Sequence, residues 1–463
     1  MRNPKVQKVL VIGLDCATPQ FVFGPGGFDL PNLEGLAERG CWGRLESCHP
    51  PITVPAWTSM LSGKDPGTLG FYGFRNRKDH SYDGLFTANA TAIREPRVWD
   101  ILSRHGKKSV VVGVPQTYPP KPLNGWLTAG FLAPSDAADL TYPRALRTEI
   151  EGAVGPYMLD VAGFRTEEKD GLLERIYAFM ENRFATARYL LETKAWDFAI
   201  MVEMGVDRLH HAFWKFCDPA HPKYEPGNRY EPVIREYYQA VDRQVGELLG
   251  LVGDDTAVLV VSDHGAKAMI GGLRVNQWLI DEGLLAVEDD LSAPKRIEDC
   301  TVDWGHTQAW STGGYYARVF MNVAGREPNG TIPAERYEAA RDELAGRIAA
   351  IPGPDGRPLG TKVCKPEEVY RTVRGVAPDL IVYFGDLEWR SVGTVGFDTI
   401  YTFDNDTGPD DANHDYHGIL IMDDRTGRGG AEIEGAQLMD VAPTVLELMG
   451  VPVPDDMQGR AIR

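Results

Sequence analysis

The chain has 463 residues, of which 43% are hydrophobic and 25% charged, which excludes a disordered or fibrous architecture and permits a large buried core. Its formal charge of −18 excludes a nucleic acid polymer held on a broad basic face, because that mode depends on many Lys and Arg contacts to phosphates. A small phosphorylated substrate stays open, since bound divalent cations can supply positive charge that the side chains lack.

Taken in order, the first element is KVLVIGLD (8–15). It follows a basic N-terminus, but the apolar run is short and lacks a small-residue cleavage site, so it reads as a buried strand and not as a signal peptide. PPITVPAWTSMLSGKDPG (50–67) places prolines on both sides of Thr53. The backbone there is expected to be stiff and extended, with a helix from Thr58 onward. KSVVVGVP (108–115) is a second buried strand, and the Pro-, Gly- and Ala-rich stretch 115–150 is expected as an insertion over the sheet. FAIMVEMGVD (198–207) is a third strand, followed by a charged surface loop at 218–232. Residues 231–251 place Ile234, Tyr238, Val241, Val245 and Leu248 three or four apart, one face of an amphipathic helix. TAVLVVSDHG (256–265), DLIVYF (379–384) and GILIM (418–422) complete the strands, with a second expected insertion at 285–335.

Continuous apolar runs suit strands covered on both faces. Alternating with helices, they predict a single α/β domain over residues 1–463, built on a doubly wound, mostly parallel sheet with helices on both faces and cap insertions. No run approaches the roughly 20 apolar residues that cross a bilayer, and six cysteines without a CxxC pair suggest no disulfide scaffold. A cytoplasmic protein with no membrane partner is expected.

Three of these strands finish in an aspartate: Asp15, Asp207 and Asp263. Ligands of open α/β sheets bind beyond the carboxyl ends of the strands, so the three should converge. Clustered carboxylates repel, and metal ions relieve the repulsion. His211 lies one helical turn after Asp207, His264 directly follows Asp263, and His414 precedes GILIM. Such a mixed oxygen and nitrogen set suits zinc, manganese or iron. Thr53 near a helix N-terminus would meet phosphate oxygens, and its hydroxyl would need no separate base beside a divalent ion.

GLD (13–15), PPITVPAW (50–57), GVDRLHHAFWKFCDP (205–219), SDHG (262–265) and HDYHGILIM (414–422) occur in the order of the alkaline phosphatase superfamily. They resemble its type I phosphodiesterase and nucleotide pyrophosphatase branch, including the group of predicted phosphohydrolases and phosphomutases. The resemblance implies two divalent ions, zinc or else manganese. One would be held by Asp207, His211 and His414, the other by Asp15, Asp263, His264 and the Thr53 hydroxyl. It implies attack by Thr53 on phosphorus, a phospho-threonine, and hydrolysis by water.

His414 is preferred to His417 because the family histidine stands four residues before the glycine of its last strand, here Gly418. His210 is expected to be structural. Candidate substrate contacts are Tyr72, Arg75, Trp214 and His306, with Arg77, Trp57 and Trp310 also considered. Leu69-Gly70 replaces the family's usual His-Gly pair. The expected activity is a phosphodiesterase or phosphohydrolase on a small organic, possibly nucleotide-like, phosphate ester. The alternatives are a phosphomutase and a non-catalytic binding protein on the same scaffold.

Overall fold

A computed structural model describes residues 6–135 and 138–463. Its centre is a ten-stranded sheet. Five neighbouring strands run parallel, in the order Thr256–Val261, Lys8–Leu14, Phe198–Glu203, Ser109–Val114 and Gly125–Ala129. His417–Asp423 joins antiparallel beside Thr256–Val261 and pairs in turn with Cys41–Glu46, while Thr141–Tyr142 closes the other edge antiparallel. Every residue of Ser109–Val114, Phe198–Glu203 and Thr256–Val261 is buried, as their unbroken apolar sequences require.

The first strand of the chain lies between two that come much later in sequence, in register Val11↔Ile200 on one side and Val11↔Leu259 on the other. Ligands of open α/β sheets bind in the crevice beyond the carboxyl ends of such parallel strands. Asp15, Asp207 and Asp263 follow these three adjacent strands. Among the described residues, no helix is long and apolar enough to cross a membrane.

Several elements depart from expectation. Leu380–Tyr383 lies outside the central sheet, in a four-stranded antiparallel sheet ordered Ala309–Thr312, Ala317–Met321, Leu380–Tyr383, Lys362–Cys364. Its sequence is apolar on both faces for a local reason. Leu380 and Val382 pack into a second core with Leu273, Leu344 and Trp389, while Ile381 and Tyr383 join Tyr72, Tyr315, Tyr316 and Tyr370. A fully apolar run reports two covered faces and not strand direction.

The 285–335 stretch supplies two strands of that smaller sheet. Part of 115–150, however, lies in the central sheet as Gly125–Ala129 and Thr141–Tyr142, short strands masked by the surrounding Pro and Gly. The helix expected from Thr58 onward starts at Thr53 itself, spanning Thr53–Ser62. Pro55 sits in its first turn, where a proline removes only an N–H that has no intrahelical partner anyway. The Val233–Leu249 helix forms as expected and buries Ile234, Tyr238, Val241, Val245 and Leu248.

Gly13 ties the sheet to that first helix. A Cβ at Gly13 would lie 2.4 Å from Trp57 Cη2 and 2.9 Å from Val202 Cγ2, so the indole occupies the place of the missing side chain. Gly13→Ala should therefore cost about 1–3 kcal/mol of stability through overpacking, read as a lower urea midpoint. A midpoint equal to that of wild type would show that the indole is free to move.

Candidate metal centre

The strand ends and the helix that follows deliver the charged groups by backbone geometry. Asp15 stands one residue beyond its strand, Asp263 two beyond, and Asp207 in the first turn of the Gly205–Cys217 helix. That helix brings His211 one turn further along the same face. His414 lies in the strand Ala412–Asp415, which pairs antiparallel with Gly265–Ala268 in register His414↔Ala266, and so folds back over His264. The His264 and His414 rings stack with centroids 3.8 Å apart.

Two groups of donor atoms result. In Asp207, His211 and His414, one ligand atom from each lies within 4.8 Å of the others, and the same holds for Asp15, Asp263 and His264. Asp207 Oδ1 is 3.2 Å from His211 Nε2 and 3.7 Å from His414 Nε2. His264 Nε2 is 3.1 Å from Asp263 Oδ2 and 3.9 Å from Asp15 Oδ1. Thr53 Oγ1 stands 3.4 Å from the same His264 nitrogen. All seven residues are buried.

The rings are oriented by what they bond on their far sides. His211 Nδ1 donates to Asp410 Oδ1 at 2.7 Å, His264 Nδ1 to the Gly265 carbonyl at 3.1 Å, and His414 Nδ1 to the Pro51 carbonyl at 2.8 Å. Each partner is an acceptor, so Nδ1 carries the proton and Nε2 faces the centre, the arrangement that metal-binding imidazoles require. The carboxylates are fixed in the same way. Trp57 Nε1 donates to Asp15 Oδ2 at 2.7 Å, Arg208 to Asp207 Oδ2 at 2.6 Å, and the Cys16 N–H to Asp263 Oδ1 at 3.2 Å. The remaining oxygens, Asp15 Oδ1, Asp207 Oδ1 and Asp263 Oδ2, are buried without a hydrogen bond. Buried acceptors in that condition are rare and costly, and these three belong to the residues of the two groups. The donor set fits two divalent ions.

Electrostatics agrees. Burial, then the neighbouring Asp207, pushes the Asp15 carboxyl well above its usual range, and burial with Asp15 does the same to Asp263. Burial also lowers His264 to about 4. Burial acts against the charged form of His211 too, but Asp410 and Asp207 overcome it and lift the imidazole to about 9. For Asp207, burial is outweighed by His211 and Arg208, which hold the carboxyl well below its ordinary value. The carboxylates of Asp410 and Asp207 thus favour positive charge at this place, which a bound cation would supply.

The type I phosphodiesterase/nucleotide pyrophosphatase family model matches residues 9–410. The chain belongs to this family. GPI ethanolamine phosphate transferase 2 of Candida glabrata is 22% identical over 298 residues, 64% of this chain and 30% of that protein; the chain thus spans less than a third of that relative's length. Human ectonucleotide pyrophosphatase/phosphodiesterase 5 superposes with a TM-score of 0.56 at 12% identity, covering 98% of this chain and 97% of its own. Phosphonoacetate hydrolase from Sinorhizobium meliloti 1021, solved with phosphonoformate, gives 0.59 at 17% identity, covering 96% of each chain. Both share the alkaline-phosphatase-like fold.

The structure gathers Asp15, Thr53, Asp207, His211, Asp263, His264 and His414 into one place, and leaves the four candidate substrate contacts with other partners. Tyr72 is buried in the tyrosine cluster, its hydroxyl donating to the Arg374 carbonyl at 2.6 Å. Arg75 is exposed in a short hairpin. Trp214 is buried and donates to Asp218 at 2.9 Å. His306 has an 81% exposed side chain and pairs with Asp303. Arg77 pairs with Glu327 and lies over Trp310. His210 is structural, as expected, packed between Tyr238 and Trp214.

The sequence reading did not anticipate Asp410, Tyr315 and Arg208. Tyr315 stacks on His211 with centroids 4.8 Å apart and donates to Asp410 Oδ2 at 2.9 Å. The spacing of Asp410, four residues before His414, was a signal that could have been read. Asp410→Asn keeps the shape but removes the charge that orients His211, and should weaken metal affinity by about 10- to 100-fold. Competition titration with a chromogenic zinc chelator measures this, and unchanged affinity would remove Asp410 from the centre.

Proposed function

We propose that the chain is a two-metal phosphodiesterase acting on a small organic phosphate diester through a phospho-threonine on Thr53. The observation that supports it is the meeting of three buried carboxylate oxygens lacking hydrogen bonds with the Thr53 hydroxyl at a helix N-terminus. When bound, two divalent ions would supply Lewis-acid stabilisation of the phosphoryl oxygens and lower the pKa of the nucleophile. Asp207, His211 and His414 would hold one, and Asp15, Asp263, His264 and Thr53 the other, with zinc favoured by the histidines and manganese the alternative.

The rest follows from the chain's own groups. Thr53 is the first residue of its helix, and among the described residues neither its N–H nor that of Val54 has a partner. Free N–H groups and the positive end of the helix dipole would receive a phosphoryl oxygen. Thr53 Oγ1 forms a bond to phosphorus as the bond to the leaving oxygen breaks, and the proton of Thr53 leaves with the released alcohol. Water then displaces Thr53 Oγ1 from phosphorus and returns a proton to it, yielding the phosphate monoester.

Charge favours a diester. Two divalent ions against three carboxylates leave one net positive charge, the match for a monoanion. The nearby guanidiniums are already committed, Arg208 to Asp207 and Asp160 and Arg165 to Asp410. A nucleotide-like substrate is consistent with murine ectonucleotide pyrophosphatase/phosphodiesterase 5, whose inactive form was solved with AMP. All six cysteines are free, which suits a reducing cytoplasm.

Thr53→Ala should lose on the order of 10³-fold or more in turnover while keeping its metal content, and Thr53→Ser should retain much of the activity. Normal turnover by the alanine variant would mean that water attacks directly. Bis-p-nitrophenyl phosphate should exceed p-nitrophenyl phosphate in kcat/KM by roughly tenfold, the effect of about 1.4 kcal/mol. A preference for the monoester would sink the diester reading.

A further inference from the structure

The helix Val233–Leu249 supplies none of the residues of the centre, yet two of its tyrosines bond to the segments that do. Tyr237 and Tyr238 are both buried. Consecutive helical positions point about 100° apart, so the two hydroxyls reach different targets. The Tyr237 hydroxyl donates to Glu203 Oε1 at 2.8 Å. The same oxygen accepts the Gly205 N–H at 2.6 Å, at the start of the helix that carries Asp207 and His211. Through its carbonyl, Glu203 also accepts the Asp15 N–H at 2.9 Å. One residue thus joins the backbone of Asp15 to the helix of Asp207, and Tyr237 holds its side chain. A Cβ at Gly205 would lie 1.9 Å from the Tyr237 hydroxyl oxygen and 2.3 Å from Glu203 Oε1, so this approach requires glycine.

Tyr238 makes the second link. Its hydroxyl oxygen accepts the Thr18 N–H at 3.2 Å, which leaves its own proton to donate to His210 Nε2, also at 3.2 Å. Thr18 lies three residues after Asp15, in the turn whose Cys16 N–H fixes Asp263, and His210 directly precedes His211. Each hydroxyl therefore sits where a segment of one donor group meets a segment of the other. The helix itself is held independently by Asp242, which accepts from Asn32 Nδ2 at 2.8 Å and from the Leu33 N–H at 2.9 Å.

We propose that Tyr237 and Tyr238 are positioning residues that set the spacing between the two metal-binding groups, Tyr237 through Glu203 and Tyr238 through Thr18 and His210. On the two-metal reading, on which this role rests, two ions act on one phosphoryl group, so their separation matters as much as their number. The donor groups stand on different elements, strand ends for Asp15 and Asp263 and a helix for Asp207 and His211. A small slide of that helix would change the separation while leaving each group intact.

Manganese titration of the full chain, freed of metal by chelation, followed by electron paramagnetic resonance of the loaded protein, tests this with Tyr237→Phe and Tyr238→Phe. Phenylalanine keeps the ring contacts with Tyr177, Phe21 and Phe28 and removes only the hydroxyl. Val241→Ala, which deletes buried methyl groups from the same helix, controls for general loosening, and thermal melting checks that each variant folds. Wild type should bind two equivalents of Mn2+, and the paired ions should give a spin-coupled spectrum that reports their separation. Each tyrosine variant should still bind two, the second about 3- to 10-fold more weakly, the effect of one lost hydrogen bond, and with a changed coupling. Val241→Ala should melt at a lower temperature with affinity and coupling as in wild type. Wild-type affinity and coupling in a tyrosine variant would overturn the role of that tyrosine and leave the two-metal reading standing. Matching losses in Val241→Ala would overturn the role as well, because loosening alone would then account for them. Uptake of fewer than two ions by wild type would instead overturn the two-metal reading, and this role with it.

Discussion

Three carboxylates at the ends of three adjacent parallel strands are the constraint on which this molecule is arranged. Neighbouring strands lie about 4.8 Å apart, so Asp263, Asp15 and Asp207 cannot separate without breaking the sheet. Their burial removes the solvent that would otherwise screen their repulsion. The surroundings answer that cost on one side of each group only. Trp57, Arg208 and the Cys16 N–H each take one oxygen, and the opposite oxygens remain free of hydrogen bonds. A centre that is satisfied on its outer face and unsatisfied on its inner face is rigid yet incomplete, the condition for binding cations tightly at a fixed spacing.

The smaller antiparallel sheet matters because it reaches back to this centre. Tyr315 lies between the strands Ala309–Thr312 and Ala317–Met321 on one side and the histidines on the other, stacked on His211 and 4.5 Å from the His414 ring. Its hydroxyl, with Arg165, holds Asp410 on the side away from His211. The tyrosine cluster that joins Tyr315 to Ile381 and Tyr383 of the smaller sheet thereby reaches a histidine held beside the central sheet.

What the sequence made legible follows from how far each signal reaches. Asp15, Asp207 and Asp263 could be read because strand and charge adjoin, and His211 because helical spacing is local. Thr53 was legible as a hydroxyl, but the helix was placed five residues late, since prolines look like breakers until their first-turn position is known. Leu380–Tyr383 was recognised as a strand and misassigned in sheet, because both its faces are apolar against two different clusters. Tyr72, Trp214 and His306 were plausible by residue type alone, and tertiary contacts decide such residues. Asp410 and Tyr315 are 95 positions apart and meet only in the folded chain.

The chain's acidity bears on the order of events at the centre. Arg165 and Arg208 are neutralised by Asp410, Asp160 and Asp207, so the protein alone offers a phosphoryl group little beyond the N–H groups of one helix end. Against that stand three buried carboxylates on a molecule carrying a formal charge of −18. On the proposed reading, electrostatic attraction for the substrate cannot precede the ions and must be created by them. The same reasoning gives the acidic surface a role compatible with catalysis. It carries no field that would gather polyanions non-specifically, so selectivity rests on the one positive charge that the occupied centre presents to a small monoanion.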